Sequence, residues 1–359
     1  MPDCEHPIAT VQTGRVPSDV TATTTSPLCT KRIALVGAFG LVGREALGIL
    51  EGRGVPLDNV RAFGSLRSAG TQLPYAGDEL TIVETDEQSF EGCDIVLFCS
   101  DDKTARSFAP IAVDHGARVV DNSSAFRLTP DVPLVVPEVN GEQLDSGPSV
   151  VANPNCSTII LLMAIEPFRR AFGVSSAVVS TYQAASGAGR TALEELRSQT
   201  ADVLSGRRPE PTAFPVTCAF NVFPHESPVD VGTGLSVEES KIIAEARKIL
   251  AMPQLDIAPT CIRVPVERCH SQSVVLELER PATHGAVAEV AGAFPGVAFN
   301  ADPTALITPR DIAGTDLVSI SRARLSRDGR RLSLWVCGDQ LRKGAALNAI
   351  QIAECLALR

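Results

Sequence analysis

The amino-acid sequence predicts an α/β protein: an N-terminal Rossmann-type parallel sheet joined to a second, α+β domain. Three observations carry this. Compact apolar runs alternate with helical segments as far as residue 153, the pattern of a parallel, doubly wound sheet. A glycine-rich turn sits between the first run and the first helix. Beyond residue 153 the texture changes to long strands with few helices, which suits a mixed or antiparallel sheet.

Residues 1–30 are rich in Thr, Ser and Pro, show no hydrophobic period and read as a disordered leader. They hold no apolar stretch for a secretory signal. Asp3, Glu5 and Asp19, with Arg15 as the single arginine, argue against a transit peptide. Folded sequence starts at Lys31. Residues 32–37 are expected to form a buried strand and 41–50 a helix; 60–64, 80–83, 94–99 and 118–121 are further strands. Helical or loop segments, 104–115 among them, lie between. The second domain opens with a long helix, 157–172, and a strand, 177–183. Polar amphipathic helices follow at 191–204 and 237–250, then strands at 257–266, 271–280, 317–325 and 331–337. A last helix, 344–356, can pack on either domain; boundaries at 31–154 and 155–340 leave 341–359 to join the first.

A chain of 359 residues suggests two domains, each able to bury a core without disulfide or metal support. The formal net charge of -10 argues against nucleic acid or an anionic membrane as partner, since both need clustered positive charge. It leaves room for a small anionic substrate held by a few local cations. The ten cysteines form no CxxC pair, so no metal site is expected and the thiols suit a reducing cytoplasm. The longest apolar stretches, such as 159–165, are too short to span a bilayer.

Gly37-Ala-Phe39-Gly40-Leu41-Val42-Gly43 stands between the first strand and the first helix. Glycines there let the backbone turn tightly and approach a pyrophosphate, while the helix N-terminus offers unpaired N–H groups. A bare tight turn is the plainer alternative. At the end of the second strand an NAD site places a carboxylate for the ribose 2′-hydroxyl. Here Ser65-Leu-Arg67-Ser68 offers a guanidinium and two hydroxyls instead, which suit a 2′-phosphate and therefore NADP.

In Asn153-Pro-Asn155-Cys156-Ser-Thr158, Cys156 has polar, turn-like flanks and stands where a long apolar helix begins. A helix N-terminus favours a thiolate, the form in which cysteine is a nucleophile. Most other cysteines sit in apolar runs and read as small buried hydrophobes. A thiolate needs a proton partner, and five histidines are available. His115 and His284 read as surface helix residues, His225 as a loop residue, and His270, between two strand runs, as the candidate base or a surface turn. Gln183 ends a strand beside Ser186, Gly187 and Gly189, offering an amide next to flexible backbone, or simply a strand-to-helix turn.

With these segments assembled, the chain from Lys31 onward resembles the bacterial aspartate-semialdehyde dehydrogenases. The resemblance lies in GAFGLVG, SLRSAG, DNSSAFR, VVPEVN, NPNCST, YQAASGAGR, AFNVFPH, VEESK, RVPVERCHS and KGAALNAIQIAE, which occur in that order. It implies a Rossmann domain for NADP and an α+β catalytic and dimerisation domain. It also implies NADPH-dependent reduction of L-4-aspartyl phosphate to L-aspartate 4-semialdehyde and phosphate. That reaction leads to lysine, threonine, methionine and diaminopimelate. By motif, Cys156 is the nucleophile, His270 the acid/base, and Gln183 orients the bound intermediate. Arg263 clamps the substrate carboxylate, Glu238 holds its amino group, Lys241 and Arg127 bind phosphate, and Asn155 lines the same site. Gly37, Phe39, Gly40, Leu41, Val42, Gly43, Ser65, Arg67, Ser68, Ser186, Gly187 and Gln340 contact the cofactor. A cytoplasmic homodimer or homotetramer is expected.

Four places depart from the family pattern. Phe39 replaces a Thr, Cys269 a Gly before the histidine, and Gln340 an Asn, while Cys99-Ser-Asp101-Asp102-Lys103 replaces a small glycine-rich loop. Two carboxylates beside a phosphate are unfavourable unless they point away. These departures motivate a second reading, a degenerate paralogue that binds or supports without turnover. N-acetyl-glutamyl-phosphate reductase shares the chemistry but fits SLRSAG, the AFN segment and VEESK poorly. A cysteine hydrolase would leave the glycine turn and Arg67 without a purpose.

Overall fold

The computed structural model describes residues 25–359. The first sheet is built from β1 (Ile33–Val36), β2 (Val60–Gly64), β3 (Gln72–Tyr75), β4 (Asp78–Glu84), β5 (Ile95–Phe98), β6 (Arg118–Asp121) and β7 (Val150–Ala152). Helices α1 (Leu41–Gly52), α2 (Asp102–Asp114) and α3 (Pro137–Asn140) lie between them. The strand order is β3-β4-β2-β1-β5-β6-β7, parallel throughout except for the β3–β4 pair. β3 was not expected. It is four residues long and carries Pro74, which a strand tolerates at a sheet edge because the missing N–H faces away from the ladder. β7, three residues, was also missed.

β1 is flanked by β2 on one side and β5 on the other, so the chain reverses direction across the sheet at β1. Crevices form at the carboxyl ends of strands where order reverses in this way. The glycine turn after β1, the serine turn after β2 and the 99–101 loop after β5 therefore converge there.

The second half contains α4 (Cys156–Phe172), β8 (Val174–Gln183), α5 (Arg190–Leu204), β9 (Phe223–Pro224), α6 (Val237–Ile249), β10 (Asp256–Arg263) and β11 (His270–Leu278). It continues with α7 (His284–Gly292), β12 (Val297–Phe299), α8 (Pro309–Ile312), β13 (Val318–Leu325), β14 (Arg331–Gly338) and α9 (Leu347–Ala357). The mixed sheet runs β12-β13-β14-β11-β8-β10-β9, with β8–β10 parallel and β11 antiparallel to both β8 and β14. One face packs on α4, α6 and α7. Residues Ser157 to Phe168 of α4 are all buried, which is why that stretch reads apolar all round rather than striped. The strand expected at 257–266 ends at Arg263, because Pro265 cannot extend a ladder. The expected last helix begins as a π-helical turn, Arg342–Ala346, before α9. Leu347, Ile350 and Ala353 of α9 share a core with Leu28, Ile33 and Leu47.

Treating 1–30 as one irregular leader does not hold at its end. Pro27–Thr30 form a 3-10 turn capped by Ser26, and Leu28 is fully buried in the first core. One leucine lacks the periodicity by which a sequence announces structure. Residues 1–24 lie outside those described.

Candidate active site

A cleft of about 450 Å³ opens between the two sheets. Cys156, Gln183, Glu238, Lys241 and Arg263 line it, with Arg127 and Asn155. Cys156 is the first residue of α4 because Asn155 caps that helix: its Oδ1 accepts from Ser157 and Thr158 N–H at 2.9 and 3.2 Å. The Cys156 Sγ lies 3.4 Å from His270 Nε2. His270 is the first residue of β11 and is fully buried.

The tautomer of His270 follows from its other nitrogen. Nδ1 accepts the Ala184 N–H at 3.0 Å, so the proton of the neutral ring sits on Nε2 and faces the sulfur. Burial, then the nearby Arg263 and His225, hold the ring's pKa well below the usual histidine range. His270 is therefore neutral and a donor toward Cys156. Burial pushes the thiol itself up to about 12, and the Glu238 carboxylate adds to this. The sequence expectation that the helix terminus favours a thiolate is thus outweighed in this cleft, where desolvation dominates.

Cys269, where a glycine is usual, keeps a glycine's backbone with φ +75°. Its N–H donates to Gln340 Oε1 at 2.7 Å, and Gln340 Nε2 donates to Ser186 Oγ at 2.6 Å. The Cys269 side chain is buried against Ile312 and Cys337. Burial and the glutamine bridge thus hold a conformation that a side chain rarely adopts. Gln340 and the Ser186 hydroxyl, which also donates to the Glu267 carbonyl, are engaged inside the protein.

Glu238 organises the opposite wall. Its Oε1 accepts from Asn155 Nδ2 at 2.8 Å and Gln183 Nε2 at 3.2 Å. Lys241 Nζ lies 3.8 Å from its Oε2. With both side-chain ends of Asn155 in use, that residue shapes the site by holding Glu238 and the helix start. Arg127 donates to the carbonyls of Asn153 and Asn122, at 2.9 and 2.7 Å, and to Glu245 at 3.1 Å. Its other two N–H groups have no partner among the described residues.

Sequence reasoning missed three residues of this site. His225 and Glu226, in the loop after β9, both reach Arg263; nothing in a loop of mixed composition marks them. Glu245, whose Oε2 accepts the Asn155 N–H at 2.6 Å, had a signal: it stands seven residues after Glu238, on the same helical face. His115 and His284 lie exposed at helix ends.

A second cleft, about 680 Å³, adjoins the first at Gly40 and Cys99 and contains Phe39, Ser65, Arg67, Ser68 and Arg190. Its features fit a dinucleotide phosphate. A Cβ at Gly37 would lie 2.4 Å from the Cys99 carbonyl, and one at Gly43 2.3 Å from that of Gly37, so only glycine permits this turn. Gly40 starts α1 without a side-chain cap, leaving the N–H groups of Leu41, Val42 and Gly43 for an anion. Arg67 is exposed and hydrogen-bonds to nothing among the described residues. Ser68 turns inward to the Ser65 carbonyl at 3.0 Å. The Phe39 ring carries Arg190 at 4.5 Å and Arg44 at 4.9 Å from its centre, a stack that no threonine could make. Asp101 and Asp102 line the same clefts as the turn, but their carboxylates are occupied by other donors. Asp101 caps α2 through Thr104 N–H at 2.8 Å, and Asp102 accepts from Ser124 N–H and Oγ at 2.8 and 2.6 Å.

Two family models match the chain: the semialdehyde dehydrogenase NAD binding domain over residues 32–147 and the semialdehyde dehydrogenase dimerisation domain over 165–343. An aspartate-semialdehyde dehydrogenase from Synechocystis is 43% identical, the match covering 91% of this chain and 98% of that protein. One from Bacillus subtilis is 42% identical, covering 90% and 96%. Among solved structures, aspartate semialdehyde dehydrogenase II of Vibrio cholerae, complexed with ASA, superposes with a TM-score of 0.86. It is 36% identical, and the match covers 91% of this chain and 98% of that one.

Proposed function

The chain belongs to the aspartate-semialdehyde dehydrogenase family, and we infer that its cleft carries out the reversible reduction of L-4-aspartyl phosphate to L-aspartate 4-semialdehyde and phosphate. It is an NADP-dependent oxidoreductase of amino-acid biosynthesis. The observation that supports this chemistry most is the 3.4 Å approach of Cys156 Sγ to His270 Nε2 at the head of a buried helix.

Arg263 would grip the substrate carboxylate, Glu238 its ammonium group, and Lys241 with Arg127 the phosphate. Cys156 sulfur attacks the acyl carbon. The sulfur–carbon bond forms, the carbon–oxygen bond to phosphate breaks, and the thiol proton leaves with the phosphate. Gln183, beside Glu238, holds the resulting thioester in place. NADPH supplies a hydride to the thioester carbon when bound. His270 Nε2–H then donates to the oxygen that becomes negative, the role of an oxyanion donor. Collapse of that oxyanion breaks the carbon–sulfur bond and returns the thiolate, which takes a proton from solvent to restore the thiol facing His270 Nε2–H. Because Ala184 N–H occupies Nδ1, the ring serves throughout as a donor and never needs to become an imidazolium.

The open face of the second sheet supports a homodimer. Val178 is 52% exposed in mid-strand, and Tyr182 and Trp335, their rings 5.7 Å apart, lie farther along the same face, turned away from α4. No helix among the described residues is long and apolar enough to cross a membrane; the nine cysteines among those residues are all free, which supports a reducing cytoplasm as the setting. The matched relatives do not favour the reductase of N-acetyl-glutamyl phosphate, and the intact Cys156–His270 pair speaks against a degenerate paralogue.

The test is NADPH formation from L-aspartate 4-semialdehyde and NADP, with and without phosphate. Phosphate-dependent turnover that disappears in Cys156→Ala is expected. No turnover in folded wild-type protein would overturn the reading.

A further inference from the structure

The structure carries one feature that the reaction does not call for: a carboxylate already seated on Arg263. The inference rests on the reading of Arg263 as the substrate-carboxylate clamp. A guanidinium has five N–H donors. Three of those on Arg263 are engaged within the chain. Nε and Nη2 hold Glu226 in two-point fashion at 3.1 and 2.6 Å. Nη1 donates to the Ala184 carbonyl at 2.7 Å, and the His225 ring stands 3.0 Å from Nη2. The side-by-side Nε–Nη2 pair that grips a carboxylate is therefore already taken.

Arg263 itself cannot turn elsewhere. It is 1% exposed, and the Phe214 ring lies 5.4 Å from its guanidinium carbon. Glu226 can move: it sits in a loop, lines the cleft, and has no hydrogen-bond partner other than Arg263 among the described residues. A buried guanidinium without a counter-ion would be costly. Exchanging one carboxylate for another keeps the charge paired at both ends of the exchange.

We propose that Glu226 is an internal stand-in for the substrate carboxylate, held on Arg263 in the free enzyme and displaced when substrate binds. It is then a specificity-determining residue. A ligand with a carboxylate can take its seat, whereas a neutral analogue leaves Arg263 paired and finds the seat closed. Displacement also weakens apparent substrate binding, since only the fraction of enzyme with Glu226 withdrawn is competent.

The experiment measures KM for L-aspartate 4-semialdehyde, at saturating NADP and phosphate, in wild type, Glu226→Gln, Glu226→Ala, Arg263→Lys and Arg263→Ala. Both Glu226 variants should lower KM, by about tenfold if the lost interaction is one charge-assisted contact. Both Arg263 variants should raise it. A KM unchanged or raised in the Glu226 variants, with the Arg263 variants still impaired, would overturn the stand-in and make Glu226 a positioner of the clamp. A KM unaffected by either Arg263 substitution would instead remove the clamp reading on which the proposal depends.

Discussion

The chemistry of this site is set by hydrogen bonds one residue removed from the reacting atoms. His270 owes its protonated Nε2 to a single backbone N–H, that of Ala184, and its neutrality to burial beside Arg263. Cys156 owes its high pKa to the same burial. The sign of the pH effect follows. Below a raised pKa the thiolate fraction grows about tenfold for each unit of pH. Site-resolved alkylation of Cys156 by iodoacetamide in the ligand-free protein should therefore quicken about tenfold per pH unit from 7 to 9, without a plateau. A plateau reached below pH 8 would show a thiolate already formed, and the desolvation argument would be wrong. Gln340 acts at the same scale: its length lets it join Cys269 N–H to Ser186 Oγ, next to the histidine.

Among the elements, two helices do most to place the site. α4 begins at Cys156 because Asn155 caps it, and the same amide fixes Glu238. α6 presents Glu238, Lys241 and Glu245 on one face, joined to the nucleophile loop by the Glu245 bond to Asn155 N–H. Asn155→Ala removes the cap and the Glu238 contact together. It should cost about 1 kcal/mol in denaturant unfolding from the cap alone and raise KM by loosening Glu238. Stability and KM both unchanged would mean that neither bond matters.

Across the whole molecule, the cofactor sheet and the catalytic sheet are tied by an ionic knot. Glu45 of α1 accepts from Arg268 and Arg342, each at 2.8 Å, and Arg268 also holds Asp339 at 2.7 Å. The helix that would hold phosphate and the segment that carries His270 thus share a counter-ion. The second sheet packs α4, α6 and α7 on one face, and its other face carries exposed Val178 and half-buried Tyr182, the surface proposed for a partner copy. Burying a carboxylate in such an interface is unfavourable. Val178→Asp should shift the protein from dimer to monomer in sedimentation analysis; wild-type sedimentation as a monomer would rule out that face as an interface.

By itself the sequence determined the two-sheet organisation, and it singled out the glycine turn and Cys156 as candidates. Each rests on local rules: strand and helix periods, glycine where a Cβ cannot fit, and an asparagine cap before an apolar helix. The family resemblance supplied the roles proposed for Arg263, Glu238 and Lys241. Short edge strands such as β3 escaped because four residues with a proline carry no periodic signal. Only the tertiary structure decided which donors remain free. Glu226 on Arg263, Ala184 on His270 and Gln340 on Cys269 join residues 37, 86 and 71 positions apart. A sequence fixes local backbone preference, but the occupancy of a buried donor depends on what folding brings beside it.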